Sequence, residues 1–264
     1  MRFLAILLSC AIVGFSHATP PADVASASVA QVRAYSPGGA LTLGSAVIIS
    51  SERLATNCHV TRGASRIEIV QDSRALPVGL VGGDAVRDVC FLHAPGLSRG
   101  PAISSHAARV GQKVIAAGFP AGKPLTLTEG HIVALHDYDG ARVIQVSAPF
   151  DYGASGGALL DDNGRLLGLL TFKAIAGGSF HFAAPAEWLY GDLGAMNVSG
   201  APFWQRSTTD LPYFLRAASM EAARNWMGLM RVASAWQERE PANPDAGRAL
   251  AKAHAKLVAT SSGQ

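Results

Sequence analysis

The sequence predicts an all-β body followed by a helical tail. From Val29 to Leu193 it runs as short β-forming stretches: Ala40 to Ile49, Arg66 to Val70, Lys113 to Ala117, His131 to Leu135, Arg142 to Val146 and Leu166 to Phe172. Pro37-Gly38-Gly39, Gly82-Gly83, Ala121-Gly122-Lys123-Pro124 and Asn163-Gly164 supply turns between them. Many short strands at this spacing indicate a sandwich or barrels. Beyond residue 193 the periodicity changes from that of strands to that of helices.

Taken in chain order, residues 1–18 read as a signal peptide rather than as structure. Arg2 is the positive start, Phe3 to Phe15 is mostly apolar, and Ser16-His17-Ala18 offers small residues at the cleavage positions. Such an apolar run is too short to span a bilayer comfortably, so no stable membrane insertion is expected. Cys10 lies in the middle of that run, too early for a lipoprotein box. Residues 24–193 form the strand-rich domain. Residues 194–216 read as a linker, with Gly, Asn, Ser and Pro up to Trp204. Residues 217–260 form a helical segment. Its first helix runs from Ala217 to Glu240 with Met220, Trp226, Leu229, Met230, Ala233 and Trp236 at three- and four-residue spacing. Pro241-Ala242-Asn243-Pro244 breaks it, and Asp245 is placed to cap a second helix reaching about Val258. The pair looks like one and a half tetratricopeptide units, too few for a repeat array. It is expected either to pack on the barrels or end the chain as a hairpin, or to offer a surface to a protein partner.

Composition excludes several function classes. The 264 residues are 49% hydrophobic and 16% charged, with a net charge of +3 from scattered basic residues. Neither nucleic acid nor an anionic surface is implied as a partner. Beyond the leader only Cys58 and Cys90 remain, and two thiols without a nearby ligand pair make no zinc site, so no metal is expected; the serine chemistry read below calls for no organic cofactor either.

The chemistry centres on Gly153-Ala154-Ser155-Gly156-Gly157. A serine hydroxyl is a weak nucleophile until a base takes its proton and amides receive the charge it creates. Glycines let the chain turn sharply beside the serine, so the amides of Gly153 and Ser155 can converge as an oxyanion hole. A histidine and an aspartate lie upstream. Leu54-Ala55-Thr56-Asn57-Cys58-His59-Val60 follows the strand-like run that begins Gly44-Ser45-Ala46. Asp84-Ala85-Val86-Arg87-Asp88 then enters the apolar Val89-Cys90-Phe91-Leu92. Histidine, aspartate, serine is one of several chain orders that assemble the same triad.

With these blocks in register, and with Phe182-Ala183-Ala184-Pro185 after them, residues 28–193 resemble the trypsin-like (chymotrypsin-fold) serine peptidases. Within these, the chain resembles the compact bacterial HtrA/Deg-like branch, here without a PDZ module. The resemblance implies two six-stranded β-barrels with a cleft between them, His59 and Asp88 coming from the first and Ser155 from the second. Ser155 is then the nucleophile, His59 the general base and Asp88 the group that orients it, with Asp84 as its rival. Ala154 stands where the family often has asparagine. His181, Phe182 and Ala183 match the strand lining the pocket for the residue before the scissile bond, with Asp151 near its base. Asp151 would favour a basic side chain, His181 an acidic one, and Phe182 with Ala183 a modest aliphatic one.

If His59 meets Asp88, Cys58 and Cys90 come within disulfide reach, since residues 88 and 90 of a strand share a face. Such a bridge would contribute about 3–4 kcal/mol by loop-closure entropy. The alternative is a pair of buried thiols. The expected protein is therefore a periplasmic or secreted serine endopeptidase acting on a protein or peptide. The competing reading is a catalytically weak trypsin-like scaffold that binds partners through its C-terminal helices. An α/β-hydrolase is disfavoured, because its acid and histidine follow the serine and no βαβ alternation is present.

Overall fold

The computed structural model describes residues 21–71, 73–97, 100–101, 107–175, 179–190, 196–207 and 209–261. The expected signal peptide lies outside the described residues, which open on helix α1 (Pro21–Ser28). Six antiparallel strands follow: β1 (Val29–Tyr35), β2 (Leu41–Ser50), β3 (Arg53–Thr56), β4 (Arg66–Gln71), β5 (Arg74–Asp84) and β6 (Val89–His93). They are ordered β5-β4-β1-β2-β3-β6, and β6 pairs back onto β5, which closes the first barrel. The short helix α2 (Cys58–Thr61) connects β3 to β4.

The second barrel holds β7 (Lys113–Gly118), β8 (Thr126–Tyr138), β9 (Ala141–Val146), β10 (Ala158–Asp161), β11 (Leu166–Ile175) and β12 (Ser179–Pro185). It closes as β10-β11-β12-β9-β8-β7. Closure pairs each of the six strands of either barrel with a neighbour on both sides. The period-two alternation fills both interiors. Val32, Ile48, Leu54, Ile69 and Leu92 occupy the first. Ile132, Ile144, Leu159, Leu170 and Ala183 occupy the second.

A third apolar cluster lies between the barrels and the tail. Phe91, Leu160, Phe172 and Phe182 from the strands meet Phe203, Phe214, Leu229 and Trp236 from the C-terminal region. The all-β expectation is therefore corrected: the two six-stranded barrels carry a region of three helices, not a two-helix hairpin. These are α3 (Tyr213–Ala222), α4 (Trp226–Arg239) and α5 (Pro244–Ser261). The helix expected from Ala217 to Glu240 is divided at Arg224, whose φ is +50°, and restarts at Asn225, whose side chain accepts from the Gly228 amide. A left-handed residue followed by an N-cap is a sharp stop and start that apolar spacing does not register.

The cap of the last helix also differs from expectation. Asn243 Oδ1 accepts from the Asp245 amide, with Pro244 at the first helical position. That leaves the Asp245 carboxylate for His136 Nδ1 on β8, at 3.2 Å, which ties α5 to the second barrel. The described part of the segment read as a linker contains regular structure. β13 (Met196–Asn197) runs parallel to the end of β5, and Phe203–Gln205 forms a 3-10 turn on the cleft.

Candidate active site

Asn57, Cys58 and His59 leave β3 where α2 begins, so the strand end projects His59 into the cleft. The disulfide joins Cys58 to Cys90, with Cα atoms 4.9 Å apart, and ties α2 to β6. One bond thus fixes the residues beside His59 and beside Asp88 relative to each other.

Asp88 sits in the tight turn between β5 and β6 with φ of +60°, a conformation that aspartate tolerates better than most residues. It is fully buried. Its Oδ2 lies 2.6 Å from His59 Nδ1, and its Oδ1 accepts the His59 amide at 2.9 Å. Trp204 Nε1 also donates to Oδ2, at 3.0 Å. Asn57 Nδ2 holds the Asp88 carbonyl at 2.8 Å. The rival carboxylate serves the backbone instead. Asp84 Oδ1 accepts from the amides of Val86 and Arg87 and shapes the turn.

Ser155 enters from the second barrel. Gly153 has φ of +90°, and a Cβ there would lie 2.6 Å from the Phe119 carbonyl. Gly156 has φ of +85°, and a Cβ would reach within 2.1 Å of the Ser45 carbonyl. Only glycine fits either place. The Ala154 amide donates to the Asp151 carbonyl, whereas among the described residues the amides of Gly153 and Ser155 have no acceptor. Two unoccupied donors on either side of a satisfied one form a ready-made anion site.

Ser45, on β2 of the first barrel, staples this loop. Its amide donates to the Ser155 carbonyl (2.8 Å), and its hydroxyl donates to the Gly153 carbonyl (2.8 Å) and accepts from the Phe119 amide (2.9 Å). Thr171 completes the floor. A bulge between Leu170 and Phe172 releases it from regular pairing. Its hydroxyl binds Asn57 Nδ2, the Ala184 amide and the Leu169 carbonyl. The Ser155 hydroxyl donates to the Thr171 carbonyl at 3.1 Å, and among the described residues no hydrogen bond joins it to His59.

The sequence reading singled out neither the fully buried Ser45 hydroxyl nor Thr171 and Trp204. A lone serine opening the apolar run Ala46-Val47-Ile48 was the available signal for the first, since a polar group there must find a partner.

The expected pocket residues are not all brought together. His181 packs its ring against Phe150 at 4.8 Å. Burial holds its imidazole below the ordinary value, a stronger effect than the hydrogen bond with the Phe150 backbone that favours the charged form. Asp151 is exposed and paired with Lys173 at 2.7 Å; that hydrogen bond, chiefly, holds its carboxyl below the usual range. Ala183 faces the barrel interior with Ala154 and Leu170. Phe182 points to the opposite face and stacks on Phe172 at 4.8 Å, in contact with the helical region. Alternation along β12 separates it from its neighbours.

A family model described as a trypsin-like peptidase domain matches residues 44–169. The serine protease Rv3671c of Mycobacterium tuberculosis is 27% identical over 185 residues, 65% of this chain and 47% of that protein. Its crystal structure in the active form superposes with a TM-score of 0.62 at 23% identity, over 76% of this chain and 96% of that one, a likeness of fold. The periplasmic pH-dependent serine endoprotease DegQ of Escherichia coli is 37% identical over 159 residues, 55% of this chain and 35% of DegQ. The HtrA-type protease AlgW, solved with a tripeptide, matches with a TM-score of 0.58 at 32% identity, over 63% of this chain and 59% of AlgW. The chain thus spans less than half the length of these two curated relatives. Two closed barrels, the glycine-framed serine and these likenesses identify a trypsin-like peptidase domain of chymotrypsin fold in the chain, related to the bacterial HtrA/Deg family.

Proposed function

We propose that the protein is an exported serine endopeptidase that cleaves a protein or peptide through an acyl-enzyme at Ser155. The carrying observation is the buried carboxylate of Asp88, 2.6 Å from His59 Nδ1, facing a loop with two unoccupied amides. Accepting from Nδ1–H, Asp88 leaves Nε2 as the basic nitrogen and stabilises the imidazolium once formed. Ser155 turns its hydroxyl from the Thr171 carbonyl to Nε2 as substrate enters, which frees that carbonyl for a substrate amide. The attacking oxygen's proton passes to His59 and then to the leaving amine, while the amides of Gly153 and Ser155 hold the oxyanion. Water repeats the steps to release the acid.

For the residue before the scissile bond we favour a small or medium aliphatic side chain. Asp151 already has Lys173 as its counter-ion, and a neutral His181 offers no charge to an acidic residue. The leader-like residues 1–18 and the periplasmic DegQ support export. AlgW with its tripeptide supports a peptide substrate. A protein partner at the C-terminal helices would meet their outer faces, since Phe214, Leu229 and Trp236 are committed to the core.

The test is reaction of the folded, oxidised protein with a fluorophosphonate probe, with the labelled residue located by mass spectrometry. Labelling at Ser155, abolished by Ser155→Ala and lowered by about 10⁴ or more in His59→Ala, is expected. A folded protein that resists the probe would turn the reading to the non-catalytic scaffold.

A further inference from the structure

We propose that Trp204 is a positioning residue of the site, so that the segment after the second barrel completes the triad. The inference rests on the peptidase reading. An ionised carboxylate accepts at both oxygens, and a fully buried one needs donors at each. Asp88 has three N–H donors among the described residues: the His59 amide on Oδ1, and His59 Nδ1 with Trp204 Nε1 on Oδ2. Without the indole, the oxygen facing His59 has only the imidazole as a partner.

The indole is held from several sides. Its ring stacks on Phe172 at 4.9 Å with planes 12° apart, and meets the His59 ring edge-on at 5.2 Å. On one side of it, the Phe203 amide donates to the Val86 carbonyl at 3.0 Å, two residues before Asp88. The Phe203 ring is buried against Tyr138, Phe172, Trp188 and Phe214. On the other side, Gln205 Oε1 accepts from Arg62, which follows the helix bearing His59. Three consecutive residues therefore grip the aspartate turn, the carboxylate itself and the end of the histidine helix. Phe214 belongs to α3, so the helical region braces this turn through Phe203.

Ring and N–H have separable consequences. The ring fills space beside His59. The N–H partly neutralises Asp88, and its loss leaves the imidazolium as the main counter-charge to a buried carboxylate. Removing the N–H therefore strengthens the pull of the carboxylate on the imidazolium. The other charged groups nearby are committed elsewhere: Arg62 to Gln205, and Arg87 to Asp139 and Asp84.

The experiment compares wild type with Trp204→Phe, which keeps an aromatic ring and loses the donor. His59 is titrated by NMR of isotope-labelled imidazole, and the pH dependence of kcat/KM is measured beside it. The expected result is a rise of about 0.5–1 pH unit in the His59 titration and in the acid limb of the rate profile. With it, kcat falls about tenfold while KM stays within about twofold. If Trp204→Phe does not fold, the benzothienyl analogue of tryptophan at position 204, matched in shape but lacking N–H, gives the same comparison. Identical His59 titrations in wild type and either variant would overturn the proposal and leave Trp204 as packing alone. A shifted titration in a protein with no peptidase activity would uphold the positioning and refute the proposed function.

Discussion

Gly153 shows how little freedom the site leaves a single residue. At φ of +90°, with the Phe119 carbonyl 2.6 Å from where a Cβ would sit, alanine can be accepted only by turning the peptide. That turn swings the 153 amide away from the proposed oxyanion position. Gly153→Ala should lower kcat by about 10²–10³ with little change in KM, the loss typical of one oxyanion donor. A steady-state comparison checks it, with circular dichroism to confirm the barrels. Trp204, Ser45 and Asn57 act at the same scale: each is one side chain whose hydrogen bond holds a residue of the proposed triad or of the loop that carries Ser155.

At the scale of elements, the histidine helix and the aspartate turn are joined by the Cys58–Cys90 bridge, 32 residues apart in sequence. Closing a loop of that length contributes about 3–4 kcal/mol through the unfolded chain. Replacing both cysteines by serine should lower the unfolding free energy in denaturant by about that amount. Wild type under reducing conditions should match the double variant. The two elements are short, α2 being a single turn, and carry little stability of their own. The rate of fluorophosphonate labelling should therefore fall in step with the bridge's loss, before the barrels unfold.

At the scale of the whole molecule, the helices and the second barrel meet around His136. Its ring stacks on Phe214 of α3 at 4.5 Å, and its nitrogens reach Asp245 and Gln145. Burial, outweighing the hydrogen bond to Gln145, holds this imidazole below its ordinary value, as burial does for His181. Below pH 6.5 or so the unfolded chain takes up protons that the native molecule refuses, so stability is full above that pH and declines beneath it. The decline for each histidine is up to about 1.4 kcal/mol per pH unit. Thermal unfolding followed from pH 7.5 to 5 should show the midpoint falling below about pH 6.5. His136→Gln should flatten that slope.

Patterns confined to a few neighbouring residues were readable without coordinates. Alternating apolar residues between glycine turns marked the strands, and the blocks around His59, Asp88 and Ser155 marked the family. The Pro-x-Asn-Pro break marked the start of the last helix. Each of these depends on backbone conformations chosen within a turn or a strand, where chain neighbours supply the decisive sterics. The stop at Arg224 carries no such mark, because apolar spacing runs straight across it. Other features had no local signature at all. Ser45 meets Gly153 across 108 residues, and Trp204 meets Asp88 across 116. The outward turn of Phe182 follows from which face of β12 the helices cover. A buried polar atom or a ring takes whichever partner folding brings within reach, and that choice exists only once the barrels have closed and the tail has docked on them.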